Sequence, residues 1–68
     1  MSANTLFNYV QEKKHIKSDA QMSRELGISP PVVSSMRRGK LTAGPSMILG
    51  IHETYGVPIK KIRALLGE

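Results

Sequence analysis

The sequence predicts an all-α fold, a compact five-helix domain spanning residues 1–68. Three observations lead there. No segment alternates apolar and polar residues with the β-branched or aromatic enrichment of a strand. Apolar residues recur instead three and four positions apart, the spacing that lines one face of a helix. Serine or proline opens most of these stretches and glycine closes them, the residue types that favour helix entry and exit. A chain of 68 residues buries only about 60% of the surface its unfolded form exposes. Without cysteine it has no disulfide or thiolate zinc site to add stability, so one economical core has to suffice.

The first helix is expected over about Asn4 to Lys14, with Leu6, Phe7 and Val10 inward and Lys13 and Lys14 at the negative end of the helix dipole. Ser18 then opens a capping box: its oxygen takes a first-turn amide while Gln21 reaches back to the Ser18 amide. Met22 and Leu26 supply the inward face of this second helix, Asp19 suits its positive end, and Gly27 stops it. Ser29 is the N-cap of a third helix that starts on Pro30 and Pro31, where missing amides cost nothing. Val32, Val33 and Met36 are its apolar contacts, and Gly39 ends it. After the basic connection Lys40 to Gly44, Pro45 opens a fourth helix through Tyr55, with Met47, Ile48, Ile51 and Tyr55 inward. A fifth runs from Pro58 to Leu66 with Ile59, Ile62, Leu65 and Leu66 inward and Lys60, Lys61 and Arg63 outward.

Ten Lys and Arg against five Asp and Glu give a net charge of +5, which favours a polyanionic partner, nucleic acid before membrane. The excess falls in the second half, where Arg37, Arg38, Lys40, Lys60, Lys61 and Arg63 face only Glu53 and Glu68. No apolar run is long enough for a membrane span. The start MSANTLFNYVQEKK puts polar residues first and lysines last, the reverse of a signal peptide, so a cytoplasmic protein is expected.

The informative stretch is SDAQMSRELGISPPVVSSMRRGK, Ser18 to Lys40. A capped helix, a glycine turn and a second helix with almost no loop between them predict a steep crossing, with the second helix projecting an outer face. The segment resembles the helix-turn-helix of the lambda-repressor-like family of phage Cro proteins, repressors and related bacterial regulators, and the five-helix plan extends the resemblance over nearly the whole chain. The family pattern has apolar residues at the sites of Met22, Leu26, Ile28, Val33 and Met36, a small residue at Ser23 and glycine at Gly27, and this chain complies.

The resemblance implies a sequence-specific regulator of transcription, Cro-like and of phage or prophage type, that binds a palindromic double-stranded DNA operator as a homodimer. It places Ser29, Pro30, Pro31, Ser34, Ser35 and Arg38 at the DNA, with Lys40 and Thr42 of the following loop on the backbone. Two departures stand out. Pro30 and Pro31 occupy sites where family members often carry glutamine or serine, leaving apolar contact with a thymine methyl in place of adenine reading. Arg37 stands where many members have a glutamate; its expected partner is either Glu12 or Gln11 in a reversed pairing, or phosphate.

Serine caps and proline starts occur in any helical domain, and it is their joint spacing with Gly27 that carries the reading. A helix-turn-helix that docks protein instead, as an antitoxin or adaptor does, is the alternative. Lys13, Lys14 and Lys17 read first as a solvated face, and Met22, Met36 and Met47 as core fillers. His15 and His52 lie apart, no helix carries histidines at metal spacing, and His52 and Glu53 diverge on a helix. The expectation is therefore no enzyme, no metal or cofactor and no small-molecule ligand. Only Phe7, Tyr9 and Tyr55 are aromatic, too few for a platform that stacks unpaired RNA bases.

Overall fold

A computed structural model describes residues 3–68, which form α1 (Asn4–Lys13), α2 (Asp19–Leu26), α3 (Pro30–Arg37), α4 (Pro45–Tyr55) and α5 (Ile59–Leu65), with no strand among them. The helix bounds fall within one residue of those expected. Pro58 is the N-cap of α5 and not its first turn.

The helix entries differ in kind. Ser18 is extended, and its Oγ accepts the Gln21 amide at 3.1 Å. The return bond of the expected box reaches a different amide: Gln21 Oε1 accepts from Lys17, at 3.2 Å, and not from Ser18. Ser29 is also extended, yet its hydroxyl caps nothing, contrary to expectation. The reason is chemical: Pro30 and Pro31 have no N–H to offer it, and the first amide of the helix, that of Val32, donates to the Ser29 carbonyl at 3.0 Å.

The exits share one device. Gly27 takes φ 71°, and the Ile28 amide reaches back to the Ser23 carbonyl at 3.0 Å. This left-handed reversal satisfies a terminal carbonyl of α2 and turns the chain directly into α3. At the end of α1 the same bond, Ile16 amide to Gln11 carbonyl at 2.9 Å, is made with His15 at φ 56°. Histidine tolerates this region better than most side chains do.

All five helices send at least one fully enclosed apolar side chain into a single cluster: Phe7, Met22, Val33, Ile51 and Ile62 are each 0% exposed. α2 packs against α3 and α4, α1 against α3 and α5, and α5 against α4. Ser23, the small residue of α2, is buried and satisfies its hydroxyl on the Ala20 carbonyl at 2.9 Å, so no polar atom is stranded where the helices meet. The connections add Ile16, Ala43 and Val57. Ile59 is the exception to the expected pattern. It opens α5 at 38% exposure, because Ile62 takes the inward position while Leu65 and Leu66 lie half-buried against the cluster. Among the described residues no helix is long and apolar enough to cross a membrane.

A Cβ at Gly27 would meet nothing within 4 Å, so a side chain there is opposed by backbone strain alone. Gly27→Val is expected to lose about 1–3 kcal/mol, read as a lower thermal midpoint by circular dichroism. An unchanged midpoint would contradict the left-handed turn.

Candidate nucleic-acid interface

The turn of residues 27–29 is all that separates α2 from α3, so the orientation of α3 is set at once by the packing of its inner side. Val33 and Met36 are buried on that side. Positions three and four apart share a helix face, which groups Pro31, Ser34, Ser35 and Arg38 on the other. Pro31, Ser34 and Arg38 are exposed and Ser35 is half-buried. Ser29 and Pro30 are exposed at the entry, and Lys40 and Thr42 are exposed beyond Gly39. All eight residues expected at DNA therefore reach the surface along one helix and the loop that follows it. Among the described residues none of their side chains is engaged in a hydrogen bond or ion pair.

Arg37 behaves differently from its neighbour Arg38. It turns inward and grips Asp19 with two parallel bonds, Nε to Oδ2 and Nη2 to Oδ1, both 2.9 Å. Its Nη1 donates to Asn4 Oδ1 at 2.6 Å and to Asn8 Oδ1 at 2.8 Å. The guanidinium carbon also lies 5.5 Å from the centre of the Phe7 ring. Within the domain the partner is thus Asp19 and not Glu12. Gln11 takes part only indirectly, donating from Nε2 to Asp19 Oδ1 at 2.7 Å. A planar fork fits a carboxylate in this way, and a single amide such as that of Gln11 does not. One signal for the network was present in the sequence: Asn4, Asn8 and Gln11 form a polar stripe at helical spacing beside the apolar stripe of α1.

These contacts hold the Asp19 carboxyl below the usual carboxylate range, the Arg37 bonds most strongly, with burial opposing and Gln11 adding to the effect. A second polar tie joins α4 to α2: Tyr55 Oη donates to Glu25 Oε1 at 2.7 Å. Burial, and then this bond, push the Tyr55 phenol well above its ordinary range, while the same bond lowers the Glu25 carboxyl.

The remaining surface is less organised. Lys13 and Lys61 stand over the Tyr9 ring at 5.9 and 5.2 Å, and Lys14, Lys17, Lys60 and Arg63 are exposed. An open apolar groove of about 370 Å³ lies where α2, α3 and α4 meet, lined chiefly by Leu26, Ile28, Met36, Pro45 and Met47. Leu41 and Leu49 are exposed at 46% and 48%. Among the described residues no three His, Cys, Asp or Glu side chains gather as metal ligands. His52 Nδ1 lies 2.8 Å from the Val57 carbonyl. No family model matches the chain, and neither a curated relative nor a solved structure shows significant similarity to it.

The lowered Asp19 value has a sign. A carboxyl whose folded pKa is depressed contributes stability that is present above its unfolded value, about 3.9, and is lost as pH falls through the lower folded value. Acid unfolding of the native chain should therefore include a loss below about pH 4 that Asp19→Asn lacks. Urea titrations between neutral and acidic pH check this, and parallel stability curves for the two proteins would contradict it.

Proposed function

We propose that the chain is a sequence-specific double-stranded DNA-binding protein, a cytoplasmic Cro-like regulator of transcription of phage or prophage type, built on a lambda-repressor-like helix-turn-helix of α2 and α3. One observation carries the reading: α3 is fixed to the body by Val33, Met36 and Arg37, while Pro31, Ser34, Ser35 and Arg38 are presented outward with nothing in the domain to bind. An α-helix with its side chains is about 10–12 Å across, which fits a major groove about 12 Å wide. Ser34 and Ser35 are short enough to meet base edges closely. Arg38 and Lys40 sit at and beyond the end of the helix, where phosphates flank the groove, and the net charge of +5 suits such a polyanion.

The aromatic residues support duplex over single-stranded nucleic acid. Phe7 and Tyr55 are buried and Tyr9 is half-buried beneath two lysines, so no exposed ring is free to stack on a base. A short helix reads few base pairs, and a twofold pair on half-sites about 34 Å apart multiplies the specificity. The reading therefore includes a homodimer on a palindromic operator, with the surface around Ile59, Leu65 and Leu66 assigned to the contact. The groove between α2, α3 and α4, with Leu41 and Leu49 exposed, favours a second reading as a protein-docking module. That module would retard DNA weakly and without regard to sequence.

Two substitutions test the assignment on selected and scrambled duplexes across a salt series. Ser35→Ala should alter preference at one or two base positions by roughly 1–3 kcal/mol and leave the salt dependence intact. Lys40→Ala should weaken all sequences alike and reduce the log–log salt slope by about one unit. The same uniform loss for both variants would remove α3 from the major groove. Footprinting at saturation should show paired, symmetric half-sites; a single unsymmetric half-site would count against the homodimer.

A further inference from the structure

Three methionines lie among the described residues, and the fold treats them unequally. Met22 is fully enclosed, and Gln11 Nε2 donates to its Sδ at 3.9 Å. Met36 of α3 and Met47 of α4 each keep 8% exposure, and both line the open groove where α2, α3 and α4 meet. That groove of about 370 Å³ has room for several molecules the size of water, each of which takes about 30 Å³. A thioether is soft, and three rotatable bonds let it turn its sulfur towards such a space. Two of the three sulfurs are therefore within reach of a small solute, while the third lies behind packing with an amide already directed at it.

We propose that Met36 and Met47 form an oxidation site at which a hydroperoxide reversibly loosens α3, the consequence for DNA resting on the assignment of α3 to the major groove. A sulfur lone pair attacks one oxygen of hydrogen peroxide, so that an S–O bond forms as the O–O bond breaks. The sulfur gives up two electrons, the proton on the transferred oxygen passes to the departing one, and the products are the sulfoxide and water. A polar group then stands where a flexible apolar chain was packed. Leu26, Ile28 and Pro45 around it offer the new oxygen no side-chain donor. Solvent and the exposed Ser46 hydroxyl do, and reaching them draws the side chain out of the seam between α3 and α4. Met36 stands where that matters most. It is buried, precedes Arg37, and accepts the Ala3 amide on its carbonyl at 3.2 Å. Displacing it disturbs the end of α3 that carries Ser35 and Arg38.

The test treats the native protein with graded hydrogen peroxide and cleaves it after lysine and arginine, which puts Met22, Met36 and Met47 on separate fragments. By mass spectrometry the Met36 and Met47 fragments should gain oxygen well before the Met22 fragment. Oxidation of both should lower the thermal midpoint by roughly 4–8 °C and weaken binding to a duplex selected from a randomised pool about tenfold. A methionine sulfoxide reductase should restore both properties. The double variant Met36→Leu, Met47→Leu, a swap that conserves volume, should fold as the native chain does by circular dichroism and lose neither property to peroxide. Oxidation of Met22 as fast as the other two overturns the site. A midpoint that does not move in the oxidised native protein, or that falls equally in the double variant, overturns its action on α3. A lower midpoint with undiminished duplex binding overturns the coupling to DNA. Failure to enrich any duplex removes the DNA-binding reading, while the fragments and the midpoint still decide the site.

Discussion

The fork between Arg37 and Asp19 is the constraint on which the arrangement of the first three helices depends. Arg37 is the last residue of α3, Asp19 the first of α2, and Asn4 and Asn8 line α1, so one guanidinium ties its own helix to two others. Hydrophobic packing alone is poorly directional, and a core this small leaves room for helices to slide or rotate. A planar group with fixed donor directions removes that freedom, because rotation of α3 would break several charge-assisted bonds together. The Arg37 side chain is 18% exposed and that of Asp19 40%, so the fork itself is part-sheltered and strengthened by that shelter, while the bonds to Asn4 and Asn8 lie at the surface. The Ala3 amide, which donates to the Met36 carbonyl at 3.2 Å, ties the start of α1 to the same end of α3.

A second polar clamp stands on another side of the α2 helix. Tyr55 fills the apolar cluster with its ring and carries its hydroxyl out to Glu25, so α4 is registered against α2 by one residue that is both core and donor. Between the two clamps lies the fully buried contact of Met22 with the rest of the cluster. α2 is thereby held on more than one side, and α3, which follows it after a single tight turn, inherits that rigidity. The role proposed for α3 gains from this, since a reading helix has to arrive already oriented.

The helices were legible in the sequence because the marks that make them are local. Ser18, Gly27, Gly39, Pro45 and Gly56 act through their own backbone chemistry and through neighbours a few positions away. The apolar stripes of α1 and α4 were equally plain, since each follows from spacing along one helix. What escaped was whatever depends on distance in space. Asp19 is a good dipole partner for its own helix, and nothing nearby in the chain shows that a residue 18 positions later claims it. Ser29 has the right identity for a cap and fails because Pro30 and Pro31 offer no amide and that of Val32 goes to the Ser29 carbonyl instead. Ile59 has the right spacing for the core, but Ile62 already fills the place. The eight proposed contact residues were found as a surface, and their role rests on the argument from exposure, charge and the absence of internal partners.

The two neighbouring arginines of α3 divide labour in a way that bears on how such a protein changes over time. Arg37 belongs wholly to the architecture, and its replacement would be felt throughout the domain. Pro31, Ser34, Ser35 and Arg38 lie outside the apolar cluster, and their side chains make no polar tie within the described residues. On the proposed reading, substitutions there act first on what the surface recognises. If α3 reads a target as proposed, a lineage can rewrite its preference one outward residue at a time, because the scaffold keeps its geometry while the legible face drifts.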